Sequence, residues 1–150
     1  MKLNKNIHQL LNEQVKHELQ SSYDYLAMAL WFDTTAYTGF AQWMRSQSEE
    51  EQEHASKFIE YINDRGGSVT LMALDQPKLS FSKPIDAFKG SLEREQNISS
   101  LIMNLYAKAQ EEGDFPTMNF LNHFLSEQVE EEATVQEMLD KLDNLAKQRE

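Results

Sequence analysis

Residues 40–61 read FAQWMRSQSEEEQEHASKFIEY, and the spacing of their side chains decides the fold class. Positions that recur at alternating steps of four and three residues form one face of an α-helix. Here that face is largely apolar toward its ends and carries a carboxylate and an imidazole near its middle; its members are Phe40, Met44, Gln47, Glu51, His54, Phe58 and Tyr61. The segment therefore predicts an amphipathic helix whose buried face holds two side chains of a kind that binds metals.

Three further segments repeat this pattern, and each has an acidic residue in its otherwise mainly apolar face. Glu18 interrupts the first, Glu95 the third and Glu131 the fourth. The three faces are Leu11, Val15, Glu18, Ser22, Tyr25, Ala29 and Phe32, then Phe88, Ser91, Glu95, Ile98, Ile102, Leu105 and Ala109, and then Leu121, Phe124, Gln128, Glu131, Val135, Met138, Leu142 and Leu145. The sequence therefore predicts four helices that each direct a potential ligand into a common core.

The free-energy cost of these polar residues makes their positions informative. An isolated buried carboxylate is destabilising by several kcal/mol, and several together also repel one another. A pair of divalent cations would remove both costs, whereas without metal the carboxylates would have to take up protons as a coupled set. Carboxylates with one imidazole favour iron or manganese, whereas structural zinc is typically bound by thiolates and imidazoles. The pattern thus predicts a metal centre inside the bundle.

Composition bounds the class of protein. A chain of 150 residues has the size of one domain, predicted over 1–150. It has no cysteine, which excludes disulfides, thiolate metal sites and iron–sulfur clusters. The net charge of -11 argues against direct binding to nucleic acid, which relies on basic patches. No apolar run approaches the roughly 18 residues of a membrane span, so we expect no membrane association and a cytoplasmic location.

The breaks in the pattern predict the order of the helices along the bundle. The first helix extends from about Asn6 to Asp33, and the short break at 34–39 implies an antiparallel neighbour. After glycines end the second helix near 65–67, about 18 residues lack any periodicity and could span up to about 60 Å, more than the roughly 40 Å of a 27-residue helix. We therefore predict an all-α antiparallel four-helix bundle with one long crossover between helices 2 and 3. The third helix should open near Ser82, and 113–116 should separate it from the fourth.

Two other groups of residues stand outside the main pattern. A second apolar row on the first helix consists of Leu19, Tyr23, Leu26 and Leu30. It is compatible with contact to a neighbouring helix of the same bundle or with an interface between subunits. His8, His17 and His123 have no partner in the spacing of the ligand-type residues, so we predict that they are not ligands.

Together these motifs resemble those of the bacterial non-haem ferritins. The residues that carry the resemblance are Glu-x-x-His at Glu51 and His54, the core glutamates of other helices, and SEQVEEE at 126–132, and the likeness extends from about Leu3 to Leu145. It implies a ferritin-like bundle with a first iron held by Glu18, Glu51 and His54. A second iron would be held by Glu51, Glu95 and Glu131, with Gln128 beside the pair. The resemblance also implies a third iron site at Glu50, Glu127, Glu130 and Glu131, and a tyrosine near the centre at Tyr25.

Two departures separate this chain from related families. Bacterioferritins and rubrerythrin-like proteins carry a second Glu-x-x-His on the last helix, but here Glu127 is followed three residues later by Glu130. In haem-binding bacterioferritins a methionine follows the bridging glutamate, and here that residue is Gln52. We therefore expect iron but no haem.

The resemblance implies a ferroxidase that oxidises Fe(II) with O2 or peroxide and stores the product as a mineral. Ferritins of this family usually continue into a short fifth helix at the four-fold axis of a 24-subunit cage, whereas this sequence ends at Glu150. The expected homo-oligomer is therefore a 24-mer cage if the short C-terminus permits, and otherwise a dimeric or small di-iron oxidase or peroxidase. A metal-free interaction or scaffold bundle is the alternative of a different class.

Overall fold

Four α-helices make up the computed structural model, which describes residues 1–148. They are α1 (Lys5–Phe32), α2 (Thr38–Asp64), α3 (Pro84–Glu111) and α4 (Phe115–Gln148). The predicted all-α architecture is confirmed, while Arg149 and Glu150, the last residues of the predicted domain, lie outside the described part of the chain. Over residues 1–148, no helix combines the length and the apolar character needed to cross a membrane.

Local chemistry explains where the helices begin. The Asn4 side chain caps α1 by accepting hydrogen bonds from the backbone N–H groups of Asn6 and Ile7. α3 begins at Pro84 rather than near Ser82, because proline favours the first helical position and holds the preceding residue extended. α4 begins earlier than predicted, so that residues 115–116 form its first turn and Asp114 accepts a hydrogen bond from the backbone N–H of Thr117.

Glycines end α2 and α3 in the same way. Gly66 and Gly113 have φ values of 76° and 67°, in the left-handed region that favours glycine. At the end of α2 the Gly67 N–H donates to the Ile62 carbonyl over 2.9 Å, and the Gly66 N–H donates to Asn63 over 3.0 Å. This pair of bonds is the Schellman motif, which satisfies carbonyls that the helix leaves free. The predicted stop at residues 65–67 is therefore confirmed.

We expect Gly66→Ala to lower the free energy of unfolding by about 1–2 kcal/mol, because a Cβ strains the left-handed conformation. A Cβ at Gly66 would meet no atom within 4 Å, so the loss would come from the backbone alone. Gly39→Ala is the matched control, since it lies within α2, also has open space around it, and should be neutral or stabilising. Urea unfolding of the metal-free protein measures both changes, and equal stability of the two variants would contradict this explanation.

Neighbouring helices pack antiparallel, and the long connection allows it. α1 packs against α2 and α3, and α3 packs against α4. Residues 65–83 run along the whole of α1, as the predicted crossover requires. Side chains of α1 fix this segment at successive points: Asn12 accepts from the Thr70 N–H, Gln20 accepts from the Asp75 N–H, and the Trp31 ring packs on Phe81.

The backbones of α2 and α4 stand further apart than those of the other neighbours. Within the described residues, no Cα of α2 lies within 8 Å of a Cα of α4. Side chains bridge the gap instead; the contacting pairs are Gln47 with Glu131, His54 with Phe124, Phe58 with Phe120, and Tyr61 with Thr117. This wide seam brings polar residues from the bundle centre close to the surface.

Two apolar clusters fill the bundle, and a polar layer separates them. One cluster includes Ile7, Leu11, Phe58 and Leu121, and the other includes Phe32, Met44, Phe88 and Val135. Along each helix the predicted ligand lies between a residue of one cluster and a residue of the other. The apolar packing therefore fixes the height of the four helices relative to one another, and with it the position of the polar layer.

Candidate metal centre

Four predicted ligands lie at the centre of the bundle and are shielded from solvent. Glu18, Glu51 and Glu95 are 0% exposed and His54 is 3% exposed. They come from α1, α2 and α3, so only the folded chain brings them together. Burial of three carboxylates in one layer is too costly to serve packing alone.

The tightest group consists of Glu18, Glu51 and His54. His54 Nδ1 lies 3.7 Å from Glu51 Oε2 and 3.9 Å from Glu18 Oε2, and one potential ligand atom from each residue lies within 4.8 Å of the others. Glu18 Oε2, both oxygens of Glu51 and His54 Nδ1 are buried without a hydrogen-bond partner in the described structure. Buried polar atoms of this kind are normally satisfied. Their convergence fits a bound cation, and the imidazole with carboxylates suits Fe(II).

Glu95 is held on the opposite side by two fixed side-chain donors. The Tyr25 hydroxyl donates to Glu95 Oε1 over 2.7 Å and lies 2.7 Å from the Ser91 hydroxyl oxygen. Gln128 Nε2 donates to Glu95 Oε2 over 3.2 Å and lies within reach of the Ser99 hydroxyl at 3.1 Å. These bonds fix the carboxylate beside the centre before any cation arrives.

The ligands predicted for a second metal are not drawn together as tightly. Glu131 is only half-buried, and its Oε2 accepts a hydrogen bond from Gln47 Nε2 over 3.0 Å. Glu51, Glu95 and Glu131 do not form a group within 4.8 Å in the described part of the chain. Glu131 is nevertheless near enough for its charge to raise the pKa of both other carboxyls.

Part of the predicted third site converges around His54. Glu50, His54 and Glu127 each offer one ligand atom within 4.8 Å of the others. Glu127 Oε2 lies 3.0 Å from His54 Nε2, so that the imidazole faces Glu127 with one nitrogen and the Glu18–Glu51 pair with the other. Glu130 is exposed and does not join this group.

Burial and mutual repulsion shift the titration of the centre. Loss of solvent raises the pKa of Glu18 well above its usual value, and repulsion from Glu51 adds to the effect. Burial also raises the pKa of Glu51 to about 8 and that of Glu50 to about 7, and it raises the pKa of Glu95. The Tyr25 hydroxyl has a strongly raised pKa, chiefly because it is buried, so it stays protonated and can donate to Glu95. Without a cation, the centre therefore retains protons at neutral pH.

Some supporting side chains were not assigned a role by sequence reasoning. Gln14 Nε2 donates to Glu18 Oε1 over 3.1 Å and orients that carboxylate. Its position one helical turn before Glu18 could have indicated the contact. His123 Nε2 lies 2.9 Å from Oε1 of Glu127, which is four residues further along α4. This spacing of one helical turn could likewise have indicated the contact.

Comparison with known proteins identifies the family. The family described as the ferritin-like domain matches residues 8–145, which is nearly the whole chain. The chain belongs to the ferritin family. A bacterial non-heme ferritin of Staphylococcus aureus is 43% identical over 131 residues, covering 87% of this chain and 79% of the relative. The corresponding protein of Staphylococcus saprophyticus is 40% identical over 143 residues, covering 95% of this chain and 86% of the relative.

Solved ferritin structures share the architecture. An open-pore ferritin from the hyperthermophilic archaeon Archaeoglobus fulgidus superposes with a TM-score of 0.95 at 38% sequence identity. The match covers 96% of this chain and 89% of that protein. The four-helix bundle predicted from residue spacing, and the ferritin-like fold that the resemblance implied, are thus confirmed.

Proposed function

We propose that this ferritin oxidises Fe(II) at the centre of its bundle and stores the Fe(III) product. The observation that carries the proposal is the set of buried, unpartnered oxygens of Glu18 and Glu51 facing His54 Nδ1. Fe(II) is the substrate, and the carboxylates supply the negative charge that two divalent ions need. The membership of the chain in the ferritin family supports the same function.

The residues would divide between two iron positions, with Glu51 shared. Glu18, Glu51 and His54 would hold the first ion, and Glu51, Glu95 and Glu131 the second. Because Gln47 now donates to Glu131, that carboxylate would have to leave its hydrogen bond or offer its other oxygen to join the second ion. Glu50, Glu127 and Glu131, with Glu130 at the surface, would form a third position beside the centre.

The oxidation step balances with simple stoichiometry. Each Fe(II) loses one electron, and two Fe(II) ions together reduce one O2 to hydrogen peroxide with the uptake of two protons. If peroxide is the oxidant, the same two electrons and two protons convert it to water. The redox chemistry belongs to iron, while the protein positions the ions; by the family resemblance, the oxidant would bind near Gln128. Tyr25 would keep Glu95 oriented during the reaction because its hydrogen bond is fully buried.

The protons on the centre would leave as iron binds. Glu18, Glu51 and Glu95 have raised pKa values in the absence of a cation. A divalent ion favours the charged carboxylates, so its binding releases protons and becomes stronger as pH rises.

Storage requires an assembly, and α1 presents a surface suited to one. Tyr23, Leu26 and Leu30 are 44%, 38% and 53% exposed, so this part of the second apolar row is not covered by the chain's own bundle, whereas Leu19 packs against the core. Leu79 of the crossover adds a further exposed apolar side chain beside it. We propose that a second copy of the chain covers this row, as the first step toward a homo-oligomeric cage that works in the cytoplasm and contains no haem.

We expect Leu26→Glu to reduce the assembled protein to a smaller species, because a carboxylate in an apolar contact loses its hydration. Light scattering on the size-separated protein measures the mass. Val129→Glu is the control, since Val129 is exposed on α4, away from this row, and its replacement should leave the mass unchanged. An unaltered mass in the Leu26→Glu variant would contradict the proposed interface.

The proposed function is tested by counting the iron retained per chain after aerobic loading with Fe(II) and removal of unbound metal. Tens of irons or more per chain would support oxidation with storage in a closed assembly. Two or three would support the centre but reject storage, in favour of a small di-iron oxidase or peroxidase. None would reject the proposal and favour a metal-free bundle.

A further inference from the structure

His123 is an exposed histidine that the proposed iron centre does not use. Its side chain on α4 is 60% exposed, and its Nε2 lies 2.9 Å from Oε1 of Glu127, which is 26% exposed. The other carboxylate oxygen of Glu127, Oε2, lies 3.0 Å from Nε2 of the buried His54. One carboxylate therefore links a surface imidazole to the imidazole of the centre.

The geometry around Glu127 suits metal binding better than simple hydrogen bonding. Oε2 is shielded from solvent and has no hydrogen-bond partner in the described structure, although His54 Nε2 is near, so it lies off the direction of the ring N–H. Two donors that bind one metal at about 2.1 Å and at a right angle are about 3 Å apart. The 2.9 Å between Glu127 Oε1 and His123 Nε2 matches this separation.

The surroundings of His123 leave room for an ion. It lines a groove of about 330 Å³ between α2 and α4, in the part of the bundle where the two backbones stand apart. Glu60 and Asp64 line the same groove from α2, while Lys57 contributes one positive charge. Carboxylates outnumber the cation, so the groove favours a divalent ion.

We propose that His123 and Glu127 form an accessory site for a divalent transition-metal ion, from which the ion passes inward to the His54 centre. Its role as a way to the centre rests on the proposed function, but the site itself does not. Glu127 Oε1 would bind the accessory ion together with His123 Nε2. Glu127 Oε2 lies 3.0 Å from His54 Nε2, so the same carboxylate reaches the centre, and His54 Nδ1 remains available to the inner ion.

The chemistry of the ligands defines which ions the accessory site would take. An imidazole nitrogen with one carboxylate oxygen suits Fe(II), Co(II) or Zn(II) and offers little to Mg(II) or Ca(II), which prefer oxygen alone. With few protein ligands, water would fill the remaining positions and the site would bind more weakly than the inner centre. Weak binding suits a site that must release its ion inward.

Binding of Co(II) to the intact protein under anaerobic conditions tests the site. By equilibrium dialysis we expect tight sites from the centre and one additional weaker site per chain. His123→Ala should weaken this additional site at least tenfold and leave the tight sites unchanged. His17→Ala, a half-buried histidine on α1, is the matched control and should bind like the wild type. Unchanged affinity of the weak site in His123→Ala would overturn the proposal.

A second readout separates this proposal from the proposed function. At limiting Fe(II), His123→Ala should raise the KM for iron oxidation several-fold with kcat unchanged, and an unchanged KM would overturn the passage of ions through the site. Glu51→Ala should lose the tight Co(II) sites. If it kept them, the proposed centre would be wrong, whatever the result at His123.

Discussion

Glu51→Ala should lower the rate of Fe(II) oxidation at least about 100-fold, because it removes the carboxylate that both iron positions share. The helical fold should survive, since the variant also removes two buried oxygens that have no hydrogen-bond partner. Alanine leaves a small cavity, but the relief of repulsion on Glu18 offsets part of that cost. Stopped-flow absorbance on mixing with Fe(II) and O2 measures the rate, and circular dichroism checks the fold.

Glu49→Ala is the matched control for this experiment. Glu49 lies two residues earlier on α2 and is exposed, so its replacement removes a glutamate from the same helix without touching the centre. We expect its oxidation rate to equal that of the wild type. A folded Glu51→Ala protein that oxidised iron as fast as Glu49→Ala would reject Glu51 as the shared ligand.

The metal-free protein should become less stable as pH rises from about 5 to 8. Burial raises the pKa of Glu51 to about 8, whereas in the unfolded chain the group titrates near 4.5. Between these two values the folded state holds a proton that the unfolded state has lost. Stability is therefore fully present below about pH 4.5 and falls by about 1.4 kcal/mol per pH unit for each such carboxyl, until the folded state ionises too. Glu18 and Glu95, whose pKa values are also raised, act in the same direction.

Saturation with Co(II) should reverse this trend. The ion binds the charged carboxylates of the folded state, so its stabilising effect grows with pH and reaches about 2.7 kcal/mol at a free concentration of 100 times Kd. Thermal unfolding at pH 5.5, 6.5 and 7.5 with and without Co(II) measures both effects. In Glu51→Gln the metal-free slope should be shallower, because glutamine does not titrate. A metal-free Tm that rises with pH, or a Glu51→Gln slope equal to that of the wild type, would contradict this electrostatic explanation.

The sequence predicted the fold because apolar and ligand-type residues share one helical period. Each interruption of an apolar face marked the same height in the bundle, and the structure buries Glu18, Glu51 and Glu95 completely at that height. The crossover was predictable from length alone, since an aperiodic segment of that size had to span the bundle. The helix ends differed from the prediction by a few residues. α3 begins at Pro84 instead of near Ser82, and α4 begins at Phe115, where Asp114 accepts a hydrogen bond from the first turn.

Positions beside the main faces were harder to predict because helical spacing does not say how far apart two helices stand. The wide gap between α2 and α4 leaves Glu131 half-buried and lets Gln47 reach it. The same gap places Glu127 between His54 and His123, although the pattern gave His123 no partner. Spacing also could not decide whether the second apolar row contacts a neighbouring helix or another subunit. The structure shows that the bundle does not cover Leu30.

Anaerobic titration of the metal-free protein with Fe(II), with bound metal counted directly at each step, tests the di-iron centre most directly. A centre with Glu51 as the shared ligand predicts two tightly bound ions per chain in the wild type and in Glu49→Ala, and loss of both in Glu51→Ala. A single tight ion, or two ions that persist in Glu51→Ala, would contradict it.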